Sequence, residues 1–125
     1  MRKLRISVGM QDENLLYDGH YGDSSFFLIF DLDENGNCVF VERRENTKIE
    51  EHSHGDINKF NEIIRLLRDV DVLVAYRMGP NFINIRERSN KVPFLTRTRD
   101  FNESLEMVRK NFENLWNEKR KKSEA

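Results

Sequence analysis

Three histidines and a single cysteine are the strongest candidate metal ligands in this 125-residue chain. His20 sits in a Gly19-His20-Tyr21-Gly22 run, and His52 and His54 flank Ser53 just before Gly55. A further segment, Tyr76-Arg77-Met78-Gly79-Pro80-Asn81, offers a fixed positive charge, a thioether and backbone N–H groups. Neutral imidazole suits zinc, copper and iron, and two imidazoles at i, i+2 can share a metal from a loop. Each residue also has a plainer reading. His20, His52 and His54 can be solvated or capping loop residues, and Met78 can simply pack. In Gly79-Pro80-Asn81, Gly frees the backbone, Pro fits the first turn of a helix and Asn bonds locally. Cys38 stands alone, which excludes an internal disulfide framework, a four-thiolate zinc site and a cluster held by the chain's own cysteines. Within a strand it reads as a small buried apolar group.

The elements that must position these residues follow from periodicity. Leu4, Ile6, Val8 and Met10 alternate with polar or small residues, the period-2 pattern of a strand. After a polar stretch from Gln11 to Ser25, the run Phe26–Phe30 predicts a second strand covered on both faces. Asn35-Gly36 marks a hairpin turn, and Cys38–Val41 returns as a third strand. A polar loop over 44–55 leads to Asp56, a cap for a helix with Ile57, Phe60, Ile63, Ile64 and Leu67 on one stripe. Val70–Ala75 reads as a buried strand, Asn81–Arg88 as a short helix and Val92–Leu95 as a fifth strand. Pro93 places that fifth strand at a sheet edge. Asp100 with Glu103 starts a long final helix whose apolar face runs Phe101, Leu105, Val108, Phe112 and Leu115 or Trp116. Its Lys119-Arg120-Lys121-Lys122 run is expected to complement the helix dipole and stay solvated.

The order βββαβαβα implies one domain over 1–116 with a mixed five-stranded sheet and helices on its faces, 117–125 being a basic helix end or tail. If the first strand runs parallel to the fourth, the loops at Gln11–Ser25, 44–55 and Tyr76–Asn81 emerge on one rim. His20, His52, His54, Arg77 and Met78 then converge, beside two helix N-termini that favour an anion. A two-metal nuclease would need converging carboxylates. Here the centre of the first strand carries none, while Asp31, Asp33 and Asp71 fall toward the opposite edge.

Composition narrows the classes further. Charged residues make up 34% of the chain with a formal net charge of −1, so the basic footprint of a nucleic-acid binder is missing. No apolar run approaches the length of a membrane span, and no signal peptide opens the chain, so a cytoplasmic domain without a membrane partner is expected.

Three segments in order resemble the dinitrogenase iron–molybdenum cofactor biosynthesis family (NifX-like domains). They are His20-Tyr21-Gly22 followed by Asp23-Ser24-Ser25-Phe26-Phe27, then His54-Gly55, then the Met78-Gly79-Pro80-Asn81 turn. The likeness runs from about Leu4 to Val108. It implies an α/β, ribonuclease-H-like fold with strand order 3-2-1-4-5. It also implies a non-catalytic carrier of an iron–sulfur or iron–molybdenum cluster, bound transiently and passed between cluster-donor and cluster-acceptor proteins. Carried over, the candidate cofactor-binding positions are His20, His54, Met78, Gly79 and Asn81, with His20 and His54 as metal ligands, and the shared rim adds His52 and Arg77 to them. A monomer or weak homodimer is expected. Arg77 and Phe82 replace small residues of the family, and Arg77 brings a charge suited to an anionic cluster. The other reading is a protein-interaction or regulatory module with no bound cluster.

Overall fold

The computed structural model describes residues 1–46, 57–79 and 82–124. The strands are β1 (Lys3–Met10), β2 (Phe26–Asp33), β3 (Cys38–Glu45), β4 (Val72–Ala75) and β5 (Val92–Leu95). The helices are α1 (Ile57–Leu66), α2 (Phe82–Arg88), α3 (Phe101–Lys110) and α4 (Phe112–Glu124), and a short 3₁₀ turn spans Tyr21–Asp23. The five strands form one sheet in the order β3-β2-β1-β4-β5. β1 is antiparallel to β2 and β2 to β3, while β1, β4 and β5 run parallel. The parallel β1–β4 pair on which the shared rim depends is therefore present.

Alternation sorts the core into two layers. Leu4, Ile6, Val8 and Met10 of β1 join Phe26, Phe30 and Leu32 of β2 beneath Leu105, Val108, Phe112 and Leu115 of α3 and α4. On the other face, Phe27, Ile29, Leu73 and Ala75 meet Ile63 and Leu67, together with Tyr21, Met78 and Ile85. Ser7 is fully buried because this second layer covers the polar-looking side of β1. Pro93 does lie on an edge strand, where a missing N–H leaves no ladder bond unmade.

Three expectations are corrected. β2 and β3 extend to Asp33 and Glu45, so Arg44 and Glu45 are strand residues paired with Phe27 and Phe26 and do not belong to a loop. The Arg44 guanidinium donates to both carboxylate oxygens of Asp69 at 2.7 and 2.8 Å, anchoring the longer strand beyond the end of α1. The final helix is two helices. The Asn111 side chain donates to the Met107 carbonyl at 2.7 Å, competing with the backbone ladder where α3 gives way to α4. The basic run is not simply solvated. The Lys122 ammonium donates to the carbonyls of Ile85, Ser89 and Lys91, capping the end of α2, and Lys119 pairs with Asp71 at 3.3 Å.

Among the described residues, no helix is long and apolar enough to cross a membrane.

Candidate functional site

The loop leaving β1 folds back on the strand it leaves. The Tyr17 N–H donates to the Gly9 carbonyl and the Ser25 N–H to the Met10 carbonyl, at 3.0 and 2.9 Å, closing residues 11–25 into a compact cap. Within it, Tyr21 is buried, and its hydroxyl donates to Ser7 Oγ at 2.9 Å in the middle of β1. Burial pushes the Tyr21 phenol well above its usual range, so this anchor stays protonated. Asn46, just past β3, donates from Nδ2 to the carbonyls of Gly22 and Ser24, both at 2.8 Å. The Asp23 carboxylate pairs with the Lys59 ammonium of α1. His20 thus opens a 3₁₀ turn held from β1, from the end of β3 and from α1.

On the neighbouring strand, the chain leaving β4 turns at Gly79, whose φ is +80°. A Cβ placed on Gly79 would stand 2.5 Å from His20 Cγ and 2.8 Å from Cδ2. The imidazole therefore lies directly on the Gly79 backbone, in contact only a glycine permits. Two loops 59 positions apart in sequence touch because β1 and β4 point the same way.

The residues named from the sequence separate as follows. His20 and Gly79 are in contact at the rim. Arg77 is there too, exposed, with Nε 4.0 Å from Asp18 Oδ1. The Met78 side chain is buried in the layer with Tyr21, Ala75 and Ile85, so its thioether packs under the rim. His52, His54 and Asn81 lie outside the described residues. Cys38 is half-buried on β3, and burial pushes its thiol up, away from the thiolate form that binds metals.

Sequence reasoning missed Ser7, Asn46 and the Asp23–Lys59 pair, which hold the His20 turn. Only Ser7 had a visible signal, a small hydroxyl at the centre of an apolar strand. The acids Asp31 and Asp71 lie toward the opposite edge. Asp31 is bridged by the Arg5 guanidinium at 2.9 and 3.0 Å, and Asp71 accepts from the Arg5 N–H at 2.8 Å. Among the described residues, no group of three or more His, Cys, Asp or Glu side chains could hold a metal ion. One imidazole resting on a glycine turn is suited to touching a preformed ligand, and assembling a bare ion would need more donors.

The chain matches the family described as dinitrogenase iron-molybdenum cofactor over residues 2–111. Among solved structures, it is similar to an NMR structure described as a NifB protein from Thermotoga, of the DUF35 family. The two are 18% identical, the match covers 89% of this chain and 88% of that one, and the TM-score is 0.55. No curated protein matches the chain.

Proposed function

Since this chain belongs to the dinitrogenase iron-molybdenum cofactor family, we propose that it is a non-catalytic carrier for an iron–sulfur or iron–molybdenum cluster or its precursor. The observation that supports this reading most is the packing of His20 on Gly79, which presents an imidazole at the rim where parallel strands end. The strand order, with β2 antiparallel beside β1, is the arrangement we assign to the ribonuclease-H-like class. The cargo arrives preassembled, and the protein supplies His20, with His54 as a second ligand, together with a fixed surface. Few ligands suit a carrier that must release what it holds, because each added thiolate or imidazole slows exchange. Donor and acceptor proteins in the cytoplasm are the partners this role requires.

The test is anaerobic mixing with a cluster donor, followed by re-isolation. A charge-transfer absorption should accompany the re-isolated protein and weaken in His20→Ala and His54→Ala. A colourless wild-type protein would overturn the reading. The second reading, an interaction module without a cluster, is favoured by Val39, Phe40 and Val41, which are exposed together on the edge strand β3. Partner capture that is unchanged by loss of His20 and abolished by Phe40→Lys would support it.

A further inference from the structure

The carrier reading leaves open which charge of cargo the rim accepts, and Arg77 bears on this. Asp18 and His20 are two residues apart on one loop, as Arg77 and Gly79 are on the other. His20 packs on Gly79, and Arg77 lies by Asp18, so the two contacts are successive rungs between the same two loops. The Arg77–Asp18 rung is a loose contact, as is Arg86–Glu87 at 3.6 Å. At 4.0 Å it is the longest arginine–carboxylate contact among the described residues, and both side chains are about three-fifths exposed, at 62% and 59%. By contrast, Arg2–Glu113 and Arg44–Asp69 are bidentate at 2.7–2.8 Å. Those pairs lock elements together, whereas the rim pair has charge proximity and no direct hydrogen bond.

A second guanidinium stands on the same edge. Arg97 follows β5 by two residues, as Arg77 follows β4, and β4 and β5 are parallel neighbours with Ala75 opposite Leu95. The Thr96 N–H donates to the Ala75 carbonyl at 2.9 Å, carrying the register past the last strand pair. Arg97 is exposed, and among the described residues no carboxylate pairs with it. Two permanent positive charges, Arg77 and Arg97, therefore follow neighbouring parallel strands on the edge that carries Asp18 and His20.

We propose that Asp18 is the resting counter-ion of Arg77 and that the rim selects small metal–sulfur anions of charge −2 or more, which displace Asp18 from the guanidinium. A neutral or cationic cargo gains nothing from the exchange. A dianion gains attraction to a weakly hydrated, permanently charged group. Recapture of Arg77 by Asp18 assists release. This inference rests on the carrier reading and is tested so that the two can fail separately.

Tetrathiomolybdate, a coloured dianion, is titrated anaerobically into the full chain at low and at high salt. Arg77→Gln should weaken binding about tenfold at low salt and remove most of the salt dependence, and Asp18→Asn should tighten it about threefold. Arg77→Lys should retain most of the wild-type affinity. Arg77 and Asp18 are exposed, so these variants leave the fold intact. Wild-type affinity and salt dependence in Arg77→Gln would overturn the exchange, and the carrier reading would survive if His20→Ala still weakened binding. No binding by the wild-type protein would overturn both.

Discussion

Replacing Gly79 by alanine should reveal how tightly the two rim loops are locked, and a second glycine isolates the steric part. Gly36, in the β2–β3 turn, has φ +88° and nothing within 4 Å of an added Cβ. Gly36→Ala therefore reports backbone strain alone, about 1 kcal/mol for a non-glycine residue at positive φ. Gly79 has φ +80°, so its strain is similar, but its added Cβ would stand 2.5, 2.8 and 2.9 Å from His20 Cγ, Cδ2 and Cβ. These atoms are close to the His20 backbone, so rotating the ring does not clear them, and the 3₁₀ turn must shift against its anchors on Ser7, Asn46 and Lys59. Overpacking of this kind adds about 1–3 kcal/mol. The expected total for Gly79→Ala is thus about 2–4 kcal/mol. In a His20→Ala background the two ring carbons are gone but the His20 Cβ at 2.9 Å remains, so the cost should fall while staying above that of Gly36→Ala. Urea denaturation of wild type, both single variants, the double variant and Gly36→Ala measures these terms. An equal cost for Gly79→Ala with and without the imidazole would refute the claim that His20 rests on that turn.

Two other perturbations test the supports beyond the rim. The Arg44 guanidinium, followed by Arg5, holds the Asp69 carboxyl well below the usual carboxylate range. Because the folded value is depressed, this stabilisation is fully present above the unfolded pKa, about 3.9, and is lost as pH falls below it. Asp69→Asn should cost about 1 kcal/mol at neutral pH after solvent screening and flatten the loss of stability below about pH 4. An acid-denaturation curve parallel to that of wild type would contradict this. Lys122→Met removes the ammonium that caps the Ile85, Ser89 and Lys91 carbonyls. It should cost about 1–2 kcal/mol and speed amide exchange in α2, while Lys119→Met, which loses one partly buried pair at 3.3 Å, should cost less. Unchanged exchange in α2 would show that the C-terminal helix does not hold it.

Local chemistry made much of this molecule legible. β1 was readable because alternation marks a strand, and its even-numbered residues form the larger apolar layer while Ser7 lies buried in the other. Asp100 was readable as a helix start because a short acceptor satisfies a free N–H. Its carboxylate accepts from the Glu103 N–H at 2.9 Å. Pro93 placed β5 at an edge by what proline lacks. The break at Asn111 was not readable, since Phe112 and Leu115 continue the apolar stripe across it and only the Asn111–Met107 bond marks the interruption. The full length of β3 was hidden for a related reason. Its Glu42–Glu45 half is polar and exposed, and it is held by pairing with β2 and by Asp69 at the far end of α1.

The site divides along the same line. Residue types and their order determined the strands, the turns and the candidate ligands, because periodicity, caps and glycine punctuation act over a few residues. Which of those candidates touch was decided by the parallel pairing of β1 with β4, which carries His20 onto Gly79 and Arg77 toward Asp18. The direction of a side chain was likewise a tertiary matter. Met78 turned inward because the space beneath the rim, between Tyr21 and Ile85, is apolar, and Lys122 found three carbonyls because α4 passes the end of α2. Burial and long-range register belong to the folded whole, and no short window of sequence contains them.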